Sequence, residues 1–380
     1  MPRPWKTCFV FGTRPEAIKL APVISHLQSR DAFHVITLLT AQHREMLDQV
    51  VSLFDIPVTH DINIMRPGQT LPALTAALCE PIARVLRDDR PDCVIVQGDT
   101  TSCFVGALAA FYEQIPVAHL EAGLRTDNLY QPFPEEMNRR LVSVLTDWHF
   151  AATDAARDNL LRENIPPDRI WVTGNSGIDA LRIIAERARP VPDGPLAAAL
   201  HRCHGTVMAV TTHRRENLPF MTGIAAAIYE ILEALPDLNV VFPVHLSPRV
   251  RESVMPMLRS ADRCHLLDPL PYDQFVVLMK RAALILTDSG GIQEEAAYLG
   301  KPTLVMRRRT ERPEAIAAGN VALVGDDQHD IFDHVLTLLH DKTALAAMTA
   351  TSQPYGDGHA SQRIADILER QLQQRFPRQP

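Results

Sequence analysis

Leu284-Ile-Leu-Thr-Asp-Ser-Gly-Gly-Ile-Gln-Glu-Glu-Ala-Ala-Tyr-Leu-Gly-Lys-Pro302 is the stretch on which the fold turns. Its pattern predicts a short buried strand over 284–287, a turn over 288–291 and a helix over 292–299. Gly300 falls where a C-cap glycine belongs, and Pro302 follows as a stop. Ser289, Gly290 and Gly291 thus stand at a helix entrance, where small residues admit a ligand and free amide N–H groups favour an anion such as phosphate. The plainer reading is an ordinary strand-to-helix turn, with Ser289 as N-cap and Gln293, Glu294 and Glu295 matched to the helix dipole. Short glycine motifs arise often by chance, so the remainder of the chain has to decide.

Outward from that stretch, strands alternate with helices in both directions. Strands are expected at 7–11, 35–40, 93–97, 117–120, 149–152 and 170–172, and again at 206–210, 240–243, 264–267 and 303–306. Helices are expected at 14–27, with Pro15 near its first position, and at 43–53, 71–86, 101–112 and 134–145. This rhythm implies parallel sheets covered on both faces. The proline-rich segment 189–195 continues neither a helix nor a central strand. The expected class is therefore α/β: two Rossmann-like, doubly wound domains. The first spans 1–175 and the second 176–358, and a last helix within 359–380 is expected to pack back across the junction.

Composition narrows the function. The chain of 380 residues is 46% hydrophobic and 22% charged, enough for sizeable cores. A net charge of −7 argues against a nucleic-acid partner. No apolar run reaches the ~18 residues of a membrane span, and the N-terminus does not read as a signal peptide. The six scattered cysteines read as buried thiols of a reducing cytoplasm. The cluster His201-Arg-Cys-His204 lacks further ligands at metal spacing, so neither metal nor other cofactor is expected.

In open parallel sheets ligands gather beyond the carboxyl ends of the strands. There the sequence puts Gly12-Thr13-Arg14 with Lys19, Gly98-Asp99 and His119-Leu-Glu121 in the first half. In the second half it puts Thr212-His213, His245 and Ser289-Gly290-Gly291. Arg14 and Lys19 read either as a solvated helix face or as anion ligands, and Arg14, behind a glycine turn, suits phosphate. Asp99 reads as a site residue or as the cap of the helix near Thr101. Glu121, in an apolar strand end, needs a functional reason because an unpaired carboxylate there is costly. Glu135 and Glu136 also fit an ordinary acidic first turn. His213 follows a buried strand, whereas His245 between Val244 and Leu246 fits a core histidine.

At these residues the sequence resembles the bacterial non-hydrolysing UDP-N-acetylglucosamine 2-epimerases. The likeness runs through FGTRPEAIKLAP (11–22), TAQHREMLDQV (40–50), GDTT (98–101), HLEAGLRT (119–126) and FPEEMNR (133–139). It continues through HRREN (213–217), PVH (243–245), LTDSGGIQEEA (286–296), TERPEA (310–315) and YGDG (355–358). The resemblance implies a GT-B-like fold with an interdomain active-site cleft. It further implies reversible C2 epimerisation of UDP-N-acetylglucosamine to UDP-N-acetylmannosamine, by UDP elimination to a 2-acetamidoglucal and re-addition, in a cytoplasmic homodimer serving cell-envelope polysaccharide synthesis.

Carried over, Arg14, His213 and Ser289-Gly290-Gly291 would hold the diphosphate and Glu295 the ribose. The Phe275 region would meet the uracil and Arg312 the nucleotide, with His245 and Leu270 in the same binding set. Lys19, Asp99, Glu121 and Glu135 would face the sugar; with His213 they form the expected catalytic set. Gln42 and Glu45 fall at a regulatory substrate site of some members; Glu45 and Gly68 differ from the Gln and Arg found there. Leu270 replaces a Gln of some members, Thr212 a Gly, and Arg308-Arg309 an Asp-Thr pair. A 2-epimerase of 2-acetamido-2,6-dideoxy sugars, a hydrolysing epimerase, a glycosyltransferase of the same architecture and a non-catalytic sensor are the alternatives.

Overall fold

The computed structural model describes residues 3–377 except 41–43, 65, 67, 213 and 350–352; the side chains of 44–46, 215 and 216 also lie outside the description. The chain divides into two compact units, Met1–Ala180 with Tyr355–Pro380, and Leu181–Pro354. The passages between them fall at 180/181 and 354/355, beside the 175/176 and 358/359 boundaries expected from sequence.

In the first unit the strands are β1 (Trp5–Phe11), β2 (Phe33–Leu39), β3 (His60–Asp61), β4 (Cys93–Gln97), β5 (Val117–Ala122), β6 (Trp148–Ala151) and β7 (Ile170–Val172). They form one seven-stranded sheet in the order β3-β2-β1-β4-β5-β6-β7, parallel throughout. The runs CVIVQ and WKTCFVF are buried almost throughout because helices cover both faces. Val10, Leu38, Leu78, Ile82, Val96 and Val105 knit sheet and helices into one core. The last helix, Ala360–Arg375, belongs to this unit and packs on the Arg14–Gln28 helix. Its first turn is capped from a distance by Asp179, whose carboxylate accepts from the amides of Ala360 (3.1 Å) and Ser361 (2.8 Å).

The second unit holds β8 (Thr206–Thr211), β9 (Leu238–Pro243), β10 (Cys264–Leu267), β11 (Leu284–Thr287), β12 (Thr303–Val305) and β13 (Val321–Leu323). Their order is β10-β9-β8-β11-β12-β13, again parallel. Met208, Val210, Ile228, Val240, Phe242 and Leu286 centre its core. Burying such side chains contributes roughly 1.5–3 kcal/mol each. The sheets are thus two Rossmann-like, doubly wound layers, as the alternating pattern predicts. The edge strands are not seen in the sequence: β3 is the polar pair His60–Asp61, and β13, though apolar, is only three residues long.

In each sheet the strand order reverses between the first and fourth strands of its own series, at β1/β4 and at β8/β11. Helices leave in opposite directions there and open a crevice beyond the strand ends. The glycine-bearing turns singled out in the sequence follow β1, β4 and β11.

Candidate active site

Glu121 organises the first crevice. The β5–β6 register slips between Leu120 and Ala122, so Glu121 is an extra residue in the strand. Its φ is +63°, in the left-handed region that a residue with a Cβ rarely adopts. Such a conformation costs on the order of 1–3 kcal/mol and persists only where its surroundings enforce it. The bulge turns the carboxylate toward donors from three other segments. Lys19 Nζ, one turn into the Arg14–Gln28 helix, lies 2.5 Å from Oε1. Gln97 Nε2, at the end of β4, donates to Oε2 at 2.5 Å, and Asn175 Nδ2 donates to Oε1 at 3.2 Å. Lys19 is therefore no solvated helix residue; its side chain is 14% exposed and faces an acid.

Asp99 stands on the neighbouring strand end. The helix Thr101–Tyr112 is capped by Thr100, whose hydroxyl accepts from the Cys103 amide at 3.0 Å. The capping role considered for Asp99 is thus taken by its neighbour. Asp99 instead receives Arg139 through Nε (2.9 Å) and Nη2 (2.8 Å), while its carbonyl accepts from Asn138 at 2.8 Å. Arg139 also bonds Glu136, which is fully buried and accepts from the Thr126 amide at 3.1 Å. Glu135 and Glu136 share the first turn of the Glu135–Leu145 helix but diverge: Glu136 is an internal strut, and Glu135 stays half-buried. Glu16, also buried, ties the β1 and β4 turns together by accepting from the amides of Gly12 (3.0 Å) and Thr13 (2.8 Å) and from the Thr100 hydroxyl (2.6 Å). Burial raises its pKa more than these bonds lower it. Burial likewise pushes His119 down to about 3, so its imidazole is neutral, and Nε2–H donates to the Gly98 carbonyl at 2.7 Å.

In the second unit the predicted helix begins two residues earlier than expected, at Gly290, and runs to Tyr298. Its two glycines differ in purpose. A Cβ on Gly290 would stand 2.5 Å from Arg312 Nη1 and 2.9 Å from Glu311 Oε1, so this glycine makes room for an ion pair. Around Gly291, among the described residues, no atom beyond its chain neighbours and its own helix backbone lies within 4 Å of such a Cβ, and the backbone there is open to a ligand. Arg312 is 7% exposed; its Nε lies 2.5 Å from Glu294 Oε1, and Nη1 meets Glu311. Burial works against the Glu311 carboxylate, but Arg312, Arg214 and Arg307 outweigh it and hold its pKa well below the usual range. Asp288, fully buried, accepts from the Thr212 hydroxyl (2.7 Å), the Arg214 amide (3.0 Å) and Asn217 (3.1 Å), fixing the segments that flank residue 213.

Of the remaining expected site residues, Arg14 is half-buried at its helix start, and Ser289 occupies the N-cap position without a side-chain capping bond. Glu295 accepts from Tyr272 at 2.9 Å; Phe275 is half-buried on the Tyr272–Arg281 helix, with Leu270 buried just before it. His245 is exposed and accepts from the Ser247 amide at 3.1 Å, which overturns the core-histidine reading. His213, Gln42 and the side chain of Glu45 lie outside the described residues. Sequence reasoning gave no role to Gln97, Asn175, Arg139, Asp288 or Glu311. Arg139 and Glu311 lie inside the quoted motifs, and Asp288 opens the turn after β11. Gln97 and Asn175 carry no local signal, because their partner is distant in sequence. Among the described residues no group of three or more His, Cys, Asp or Glu is placed to hold a metal ion, and no helix is long and apolar enough to cross a membrane.

Two doubly wound units with glycine-bearing turns at their switch points make this an α/β protein of the GT-B-like class. The chain belongs to the UDP-N-acetylglucosamine 2-epimerase family, a family of isomerases: the family model of that description matches residues 25–369. A UDP-N-acetylglucosamine 2-epimerase of Neisseria meningitidis serogroup A is 47% identical over 367 residues, covering 96% of this chain and 99% of the relative. One from Yersinia pestis is 50% identical over 373 residues, covering 96% and 98%. Among solved structures, the UDP-GlcNAc 2-epimerase from Neisseria meningitidis bound to UDP-GlcNAc matches with a TM-score of 0.92 at 47% identity, over 96% of this chain and 100% of that one. The Methanocaldococcus jannaschii UDP-GlcNAc 2-epimerase in complex with UDP-GlcNAc and UDP matches with a TM-score of 0.84 at 33% identity, over 96% and 99%.

Proposed function

We propose that this protein interconverts UDP-N-acetylglucosamine and UDP-N-acetylmannosamine by inverting C2. The single observation that carries the reading is Glu121, a carboxylate held in a strained conformation against Lys19 at a switch point, in a chain of this family. The C2 hydrogen has no adjacent carbonyl to acidify it, so simple deprotonation is closed. Instead the C1–O bond breaks, its electron pair leaves with UDP, a carboxylate takes the C2 proton, and a C1=C2 double bond forms as a 2-acetamidoglucal. Return of a proton to the opposite face of C2, with re-addition of UDP at C1, completes the inversion. Asp99, Glu121 and Glu135 are the proposed acid–base groups, a role that supplies roughly 10²–10⁴-fold. Lys19 would balance the charge on Glu121.

On this reading the first unit carries the sugar chemistry and the second holds UDP. Arg14, His213, Ser289 and the open backbone at Gly291 would stabilise the departing diphosphate, where helix-terminal amides meet developing charge. Glu295 would take the ribose, the Leu270–Phe275 segment the uracil, and His245 and Arg312 the rest of the nucleotide. Incubation with UDP-N-acetylglucosamine alone in D2O should yield UDP-N-acetylmannosamine bearing deuterium at C2. Transfer that requires an added acceptor, or free sugar as the main product, would sink the proposal.

The protein is further proposed to act in the cytoplasm as a homodimer. Phe111 (58% exposed), Tyr112 (64%) and Val144 (81%) present an apolar patch on the helices Thr101–Tyr112 and Glu135–Leu145 that a second copy would cover. Sedimentation equilibrium should give twice the chain mass, and Val144→Asp should reduce it; a wild-type monomer would refute the assignment.

A further inference from the structure

The carboxylate of Glu121 is met by two amides that no part of the proposed mechanism uses. Gln97 is 2% exposed and Asn175 is 3% exposed. Their orientations follow from their partners. Asn175 Oδ1 accepts from the Gly177 amide at 2.9 Å, which leaves Nδ2 to face Glu121. For Gln97 only the NH2 end can meet a carboxylate at 2.5 Å, since the carbonyl end would be repelled. The backbone of Asn175 is pinned as well, its N–H donating to the Tyr355 carbonyl at 2.7 Å. Tyr355 is the residue at which the chain returns to the first unit. Asn175 thus joins the returning segment to Glu121.

We propose that Gln97 and Asn175 are positioning residues that act through Glu121. Their N–H groups hold the strained carboxylate in one rotamer and favour its ionised, proton-accepting form. This rests on the proposed role of Glu121 and deepens it. A neutral amide donates at any pH, so the two donors keep the acid ready as a base without adding a second titrating charge. Among the described residues, the titratable groups that act on Glu121 include Lys19, the buried neutral His119 on the same strand, and Cys103 on the Thr101–Tyr112 helix. Cys103 is kept as a thiol by its burial, with Glu16, Asp99 and Glu121 raising its pKa further. Lys19 is the cation paired with Glu121, and removal of an amide donor leaves Glu121 with less to stabilise its charge.

Asn175→Asp is close to isosteric: Oδ1 can still accept from Gly177, and the backbone bond to Tyr355 stays. The donor to Glu121 is lost, and a second carboxylate takes its place. We expect kcat to fall roughly 10–100-fold, the order of loss that a misplaced catalytic group produces. The acid limb of the kcat/KM profile should move up by about one pH unit or more, because two adjoining carboxylates resist ionising together. UDP affinity should stay within about threefold of wild type, as a loss confined to the chemical step requires. Gln97→Glu should do the same and carries the test if Asn175→Asp does not fold. Wild-type kcat with an unmoved pH profile in either folded variant overturns the proposal. So does a loss of kcat with an unmoved profile and weakened UDP binding, which marks a merely structural role. Glu121→Gln separates the two levels: if it turns over normally, the proposed role of Glu121 fails and this inference with it. If Glu121→Gln is dead while Asn175→Asp and Gln97→Glu are normal, only the positioning role falls.

Discussion

The two switch points share one topology and solve opposite electrostatic problems. At β1/β4 the chain gathers acids, Glu121, Asp99 and Glu16, and answers each with donors from other segments: Lys19, Gln97, Asn175, Arg139 and Thr100. At β8/β11 it aims a helix N-terminus outward and buries a charge network behind it, in which Glu311 and Glu294 absorb Arg312, Arg214 and Arg307. In the first crevice the backbone itself is strained at an acid; in the second, a missing side chain creates room. Under the proposed function, the difference divides labour within one fold. Proton transfer needs a carboxylate with fixed aim, which costs strain, whereas anion binding needs only exposed amides and space.

The comparison breaks first at Glu121. Glu121→Gln should lower kcat by roughly 10²–10⁴-fold while UDP affinity, measured by calorimetry, stays within about threefold. A matching loss of UDP affinity would mean that the acid belongs to nucleotide binding. The glycines give a finer cut. Gly290→Ala must displace the paired Arg312 guanidinium, an overpacking that costs about 1–3 kcal/mol in chemical denaturation. Gly291→Ala meets open space and adds a better helix former, so stability should hold or rise by up to about 1 kcal/mol. UDP affinity should nonetheless fall about tenfold, or about 1.4 kcal/mol, as the new methyl crowds the anion. Equal stability effects from the two substitutions would refute the division of roles between them.

Much of this architecture was legible in the chain. Uninterrupted apolar strands such as CVIVQ and LILT, set between helical patterns, announce parallel sheets, and glycine-bearing turns after β1, β4 and β11 mark the rims where ligands gather. What stayed hidden was aim. Lys19 meets Glu121 across 102 residues of sequence, Arg139 meets Asp99 across 40, and Asn175 meets Glu121 across 54. Local pattern left helix capping open for Asp99 and suited a buried core for His245. Thr100 took the first role, and an exposed turn after β9 removed the second.

By itself, the sequence determined which residues sit at the strand ends, because hydrophobic period and turn chemistry act over a few neighbours. Only the tertiary structure decided what those residues face. The bulge at Glu121, the capping of the last helix by Asp179 and the pairing of Arg312 behind Gly290 each depend on segments far apart in the chain. Charges are buried there only because distant partners arrive together, and no window of local sequence contains both halves of such a bargain.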